Sequence, residues 1–158
     1  MPDKPIQDYY PDEVAICYGC GRNNAHGLHV QTYWDGEEGV AHFTPQPHHT
    51  AFPGFVYGGV LASLIDCHSI GTAIAALYRA ESRPIGSEPE ITCVTGALNV
   101  TYLRPTPIGA ELELRARVKL MTLRKVIVAT RVYVAGEEYV QGEVVAVRVP
   151  SRATMGAL

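Results

Sequence analysis

From residue 57 to residue 78 the chain runs for ~six helical turns without a proline, on Ala, Leu, Ile and Val. Apolar residues cover most of that helix's circumference, so the fold must enclose it on several sides. What surrounds it is strand. Over 110–120, Leu112, Leu114, Ala116, Val118 and Leu120 alternate with Glu111, Glu113, Arg115, Arg117 and Lys119. A period of two puts one set on a buried face and the other in water or in ion pairs. Segments 96–103, 126–134 and 139–149 are further strands, the last two joined by a turn at Gly136-Glu137. Ahead of the helix, 28–34 alternates with Leu28, Val30 and Trp34 on one face. Asp35-Gly36 is a hairpin signal, and 39–43 returns as a short strand. Two short strands, one long helix and four longer strands make an α+β fold. A curved antiparallel sheet of about six strands wraps one central helix and buries both. The edges of such a sheet need cover, and pairing between subunits supplies it.

At 158 residues the chain has the length of one domain with a sizeable core. The expected division is an N-terminal arm and loop over 1–27, one domain over 28–150 and a tail over 151–158. A net charge of −3 with acids and bases interspersed excludes the basic footprint of a nucleic-acid binder. No uninterrupted apolar run approaches ~18 residues, so no membrane span is expected. The prolines at 2, 5 and 11 interrupt a polar start with neither the basic nor the apolar part of a secretory signal. With four cysteines and no such signal, the expected location is the cytoplasm. The proline- and charge-rich stretch 79–94 reads as a long connection of the kind that is often functional.

Two features inside the helix segment point to chemistry. Gly58 and Gly59 open it, and a helix start with bare glycine N–H groups suits a developing negative charge. Asp66 stands eight residues on, in otherwise apolar surroundings, where carboxylates are rare without a partner or a task. Asp66 serves as nucleophile or general base, or else caps or salt-bridges within the fold. The glycines supply an oxyanion-type donor, or else allow tight helix packing. Cys17-x-x-Cys20, with His26 and His29 close by, offers four possible zinc ligands, although not at the spacing of a standard finger. Cys67 reads as a buried free thiol. His48 and His49 stand near the helix start, and Arg104, Arg124 and Lys125 are cations that could meet phosphates or simply solvate strand ends.

Three segments carry a family resemblance covering roughly 17–149. They are Cys17-Tyr-Gly-Cys-Gly-Arg-Asn-Asn-Ala-His-Gly-Leu28, the stretch from His49 through Gly71, and Val100-Thr-Tyr-Leu-Arg-Pro-Thr-Pro-Ile-Gly109. Together they resemble the hot-dog-fold thioesterase superfamily, in particular its phenylacetate-degradation-type acyl-CoA thioesterase branch. The second segment is similar to the pattern His-x-Asn-x-x-Gly-x-x-His-Gly-Gly, with Asp eight residues after the first glycine of the pair. Tyr57 stands at the pattern's second histidine and Ala51 at its asparagine.

The resemblance implies a hot-dog fold, a homodimer or homotetramer with active sites shared between chains, and hydrolysis of an acyl-CoA or related thioester. It implies Asp66 as the catalytic carboxylate and the Gly58 N–H as the group polarising the carbonyl. His49, Gly54, Tyr57 and Gly59 fall at substrate-binding positions. The acyl group is expected between subunits, along the central helix and the loops around 45–56 and 79–94. Neither a metal nor a redox cofactor is needed, and no nucleic-acid or membrane partner is implied. A non-catalytic acyl-CoA-binding module on the same fold is the alternative. A hydratase ranks last, because Asp66 and His68 point to different sides of a helix.

Overall fold

The structure, a computed structural model, describes residues 4–150; the C-terminal tail read at 151–158 lies outside the described residues. A single 3-10 turn, Ile6–Tyr9, precedes strands β1 (Tyr33–Trp34) and β2 (Glu38–Phe43). Helix α1 (Gly58–Ala80) follows, then β3 (Thr92–Tyr102), β4 (Leu112–Met121), β5 (Lys125–Val134) and β6 (Glu137–Val149). The six strands form one sheet in the order β1-β2-β4-β5-β6-β3, antiparallel throughout. α1 therefore carries the chain from one half of the sheet to its far edge, and it packs on β2 to β6 along the way. This is the hot-dog arrangement.

The alternating pattern of β4 places Leu112, Leu114 and Ala116 fully inside, against Leu64, Val132, Val140 and their neighbours. Beyond a register shift between Val118 and Leu120 the strand leaves the core, and Leu120 is exposed. Ala135 and Gly136, both at positive φ (48° and 82°), make the two-residue hairpin joining β5 to β6, one residue earlier than expected. Gly142 on β6 lets the helix approach, since a Cβ there would stand 2.4 Å from Ile65 Cγ2.

The segment 28–34 corrects the sequence reading. Leu28, Val30 and Trp34 are buried as expected, but only Tyr33–Trp34 joins the sheet. His29 takes a positive φ of 57° and breaks the strand. The N–H groups of Leu28 and Val30 donate instead to Tyr18 and Gly19 carbonyls, at 2.8 and 3.0 Å. The loop at 17–20 is thereby tied to the body of the protein.

α1 is long and apolar enough to cross a membrane by length and composition, although no uninterrupted apolar run reveals it. Most of that apolar length is buried inside the fold. Residues 71–78 are buried all round, with the sheet on one side and Ile6, Tyr10 and Trp34 on the other. A polar chain fastens the arm to the helix. Gln7 Nε2 donates to Thr32 Oγ1 (3.1 Å), Thr32 Oγ1 meets His68 Nδ1 (2.9 Å), and His68 Nε2 meets the Gly39 carbonyl (3.1 Å). Only a neutral imidazole with its proton on Nε2 satisfies the chain in that direction. Burial holds His68 neutral, with its pKa lowered to about 4. His68 is a core residue and does not face Asp66.

The connection after α1 is stapled. Arg83 binds Glu81 at 2.7 Å, donates to the Ser87 carbonyl at 2.8 Å and to the Pro89 carbonyl, and stacks on Tyr78. Arg148 of β6 reaches Glu81 as well, and the Tyr78 hydroxyl accepts from the Ile91 N–H at 2.9 Å. These contacts fix where β3 begins, and so where Thr92 to Thr95 stand.

Candidate active site

Asp66 sits midway along α1 on a stripe left only partly covered by the chain itself: Gly59, Ala62, Ser63, Asp66, Cys67 and Ile70. Their spacing of three and four residues defines one helix face. Asp66 Oδ1 accepts a 2.6 Å hydrogen bond from Thr95 Oγ1 on β3, and its other oxygen has no partner among the described residues. The carboxylate opens into a cavity of about 320 Å³ between α1, the start of β3 and the N-terminal loop. Tyr10, Val14, Ile70, Ile74 and Val94 give that cavity apolar walls. Burial raises the Asp66 pKa; the Thr95 hydrogen bond opposes this, and the nearby Cys17 sulfur adds to it. Asp66 is thus a half-buried carboxylate, more basic than usual, with one free oxygen at the mouth of an apolar pocket.

The cavity beside Asp66 is bounded by residues from 10–20 and 92–95, and no residue of 45–56 lines it. That loop lies at the other end of the exposed stripe. It forms a miniature hairpin, bridged Thr50 to Val56, and is docked on the turn before β4 through Val56 N–H to the Thr106 carbonyl (2.8 Å). Gly54, at φ 89°, makes its bend, and its carbonyl accepts from the Ile108 N–H at 2.9 Å. The ring of His49 is nearly buried; its Nδ1 accepts from the Gln46 N–H (3.0 Å), and it packs against His48 and Phe43. The His49 carbonyl accepts from the Tyr57 N–H at 2.8 Å, which sets the start of α1. His49 and Gly54 therefore shape the helix start and do not reach Asp66 within the chain.

Tyr57 is the N-cap residue and makes no side-chain cap, so nothing from its own side chain occupies the first N–H groups. Leu61 and Val60 donate to the Tyr57 carbonyl; the Gly58 and Gly59 N–H groups have no acceptor among the described residues. The Tyr57 ring is exposed and lies over Gly59, where a Cβ would come within 2.4 Å of it. Tyr102 of β3, unnoticed in the sequence, donates from its hydroxyl to the Gly58 carbonyl at 2.7 Å, and its ring packs on Gly58. Tyr57 and Tyr102 thus hold the two glycines in place at the start of the helix. Gly58 stands eight residues from Asp66, ~12 Å along the axis, so one chain does not bring this donor and the carboxylate together.

β3 is the sheet's outer strand, with Val94, Leu98 and Tyr102 exposed and 11 residues of backbone along the free edge. Of the cations considered for phosphate binding, Arg104 is engaged with Glu137 at 3.0 Å and stacks on Tyr139. The structure also corrects the thiol reading. Cys67 is only partly buried, and its sulfur lies 3.7 Å from that of Cys17. The neighbouring Cys20 and Cys67 thiols pull Cys17 well below the ordinary thiol range, while Cys20 and Cys67 are themselves pushed up. His26 and His29 do not join them; His29 Nε2 is turned to the Asn24 carbonyl.

A model of the Thioesterase superfamily matches residues 53–140. No curated protein matches the chain. A solved structure of a Thioesterase superfamily protein from Shewanella loihica PV-4 is 46% identical, with TM-score 0.63, over 80% of this chain and 96% of that one. Two more distant structures share the fold alone. The E. coli PaaI protein from the phenylacetic acid degradation operon is 16% identical over 78% of this chain and 82% of that one, TM-score 0.65. The smu.793 protein of Streptococcus mutans, bound to acetyl CoA, is 15% identical over 78% and 90%, TM-score 0.64. The matched span runs from the loop ahead of Gly58, through Asp66 and Thr95, to Val140 on β6. With its six-stranded sheet wrapped on one helix, the chain belongs to the thioesterase superfamily.

Proposed function

We propose that this protein hydrolyses an acyl-CoA to the free acid and CoA, with Asp66 as general base or nucleophile and the Gly58 N–H as the donor to the carbonyl oxygen. The observation that carries this reading is Asp66 itself: one oxygen held by Thr95, the other free, at an apolar cavity large enough for a small acyl group. As base, the free oxygen takes a proton from water as the hydroxyl adds to the thioester carbon. Collapse of the tetrahedral species expels the CoA thiolate, which recovers a proton. As nucleophile, the same oxygen displaces the CoA thiolate, which picks up a proton, to form an acyl anhydride; water then opens it to the free acid and regenerates Asp66. Acetyl CoA bound to smu.793 and the motif resemblance to the phenylacetate-degradation branch support a CoA thioester as substrate. His49 and Gly54 support the donor end, and Tyr57 and Gly59 form its outer wall.

The ~12 Å between Gly58 and Asp66 requires two chains. A nucleophile must come within about 3–3.5 Å of the carbonyl carbon, and the donor within ~3 Å of its oxygen. An antiparallel second α1, laid on the small-residue stripe, brings Gly58 of one subunit to Asp66 of the other and generates two equivalent sites. The exposed β3 edge, with its apolar side chains, favours the same association.

Thiol release from short, long and aromatic acyl-CoAs tests the reading. Asp66→Asn should keep the fold and lose roughly a hundredfold or more in rate. Hydrolysis by that variant at the wild-type rate would rule out the mechanism. The second reading, a non-catalytic acyl-CoA-binding module, is favoured by Tyr57, whose phenol is no useful base at the helix start. It would show binding with no turnover of any member of the panel.

A further inference from the structure

We propose that Cys17, Cys20 and Cys67 form a binding site for Zn²⁺, with three protein ligands and a fourth position open to the cavity that holds Asp66. The three sulfurs all lie within 4.8 Å of one another, and Cys17 and Cys67 are 3.7 Å apart. A tetrahedral zinc site with bonds of ~2.3 Å has a sulfur–sulfur edge of ~3.8 Å. The Cys17–Cys67 edge already has that dimension, and the two edges to Cys20 lie within 4.8 Å. It does not have the dimension of a disulfide, whose sulfurs are ~2.05 Å apart, and a disulfide leaves the third thiol without a role.

The loop is shaped around the sulfurs. Gly19 lies against Cys67, where a Cβ would stand 2.3 Å from Sγ, so this loop position admits no side chain. Gly21 N–H closes the turn on the Cys17 carbonyl at 2.7 Å. Tyr18 and Gly19 carbonyls are held by Leu28 and Val30, which fixes the loop from its other side. Cys67 comes from the rigid middle of α1. Ligands from two elements 50 residues apart in sequence are thus pre-positioned without local rearrangement.

The surroundings call for a cation. Cys17, Cys20, Asp66 and Cys67 line one cavity, and none of the residues that line it is Lys, Arg or His. A soft divalent ion is the class that three thiolates select. Because the three sulfurs border the cavity, the remaining position faces it and is free for water or an incoming thiol.

Binding can be read without any enzymatic assay. The chelator-stripped, reduced full-length protein is titrated with Co²⁺ and then with Zn²⁺ as competitor. The expected result is one ion per chain, an intense sulfur-to-cobalt charge-transfer band with tetrahedral visible bands, and their loss on adding Zn²⁺. Cys17→Ser, at an exposed position, and Cys20→Ser should each weaken Zn²⁺ binding at least about tenfold. Cys93→Ser, in the same cavity but outside the cluster, should leave it unchanged. In the wild-type chain Zn²⁺ should also protect Cys17 and Cys20 from alkylation, which tests the site even where a variant fails to fold. Absence of the charge-transfer band, equal affinity in Cys17→Ser, or alkylation indifferent to Zn²⁺ would overturn the proposal.

Discussion

His68 should make the protein sensitive to mild acid, and the size of the effect follows from its surroundings. The imidazole is completely buried between α1 and β2, accepting from Thr32 and donating to the Gly39 carbonyl. Its pKa falls from 6.5 to about 4 on folding. Between those values the unfolded chain binds the extra proton and the folded chain does not. The contribution is therefore complete above pH ~6.5 and is lost as pH falls toward ~4. The full span corresponds to about 3 kcal/mol, of which about 2 kcal/mol is gone by pH 5. That is a large part of the stability of an ordinary domain. Asp12, Asp35, Glu81 and Glu113 are held below the ordinary carboxylate range by Arg side chains or backbone N–H groups, and the comparison with a variant that keeps all four cancels their contribution. Urea unfolding at fixed protein concentration, repeated from pH 7.5 to 4.5, measures the slope. The control is His68→Gln, which removes the titration while groups such as His49 and Asp66 remain common to both proteins. The wild type should lose about 2 kcal/mol more than the variant between pH 7 and pH 5. Parallel curves for the two proteins would refute the assignment of a neutral, buried His68.

Other outcomes bear on the site and on packing. Thr95→Val removes the hydrogen bond that opposes the rise in the Asp66 pKa, so the acid limb of the pH–rate profile, already above 3.8, should move higher. The rate on the plateau should change by about tenfold, the worth of a hydrogen bond to a charged group, and an unmoved limb would separate Asp66 from the titrating group. Gly142→Ala drives a methyl group to 2.4 Å from Ile65 in the core and should cost about 1–3 kcal/mol by chemical denaturation. Mixing Asp66→Asn chains with Gly58→Pro chains should restore one working site per mixed dimer. Proline is tolerated at a first helical position and removes the N–H, although its ring also presses on Tyr102, so the Gly58→Pro chain is first shown to fold by circular dichroism. Mixed dimers shown by mass spectrometry to be present yet inactive would refute the shared site.

The fold was legible because its periodicities are long and uninterrupted. A run of 23 helical residues bounded by Tyr57 and Glu81, and strands of 10 to 13 residues in the C-terminal half, carry the pattern over several turns or pleats. Where the pattern was short, it misled. The alternation over 28–34 is real in burial, but His29 at positive φ and the competing Tyr18 and Gly19 carbonyls take the segment out of the sheet. Burial alternates for any extended segment lying on a core; only the backbone partners decide whether it is a strand.

The candidate site divides along the same line. Asp66 and the glycine pair lie on one continuous helix, so their spacing could be read directly. Thr95, Tyr102 and the cavity walls come from β3, whose position depends on the crossing of α1 from β2 to the opposite sheet edge. No local signal marks Thr95 as the partner of Asp66, 29 residues away. The cysteines make the same point more sharply. Cys17 and Cys20 suggested His26 and His29 as companions by nearness in sequence, whereas the fold supplies Cys67 from the helix. Both arrangements centre on one stretch of α1. Asp66 turns to β3 and its neighbour Cys67 turns to the N-terminal loop, so any movement of that loop changes the wall of the pocket in which the carboxylate stands. Residues of the loop at 17–20 therefore help to wall the pocket beside the carboxylate.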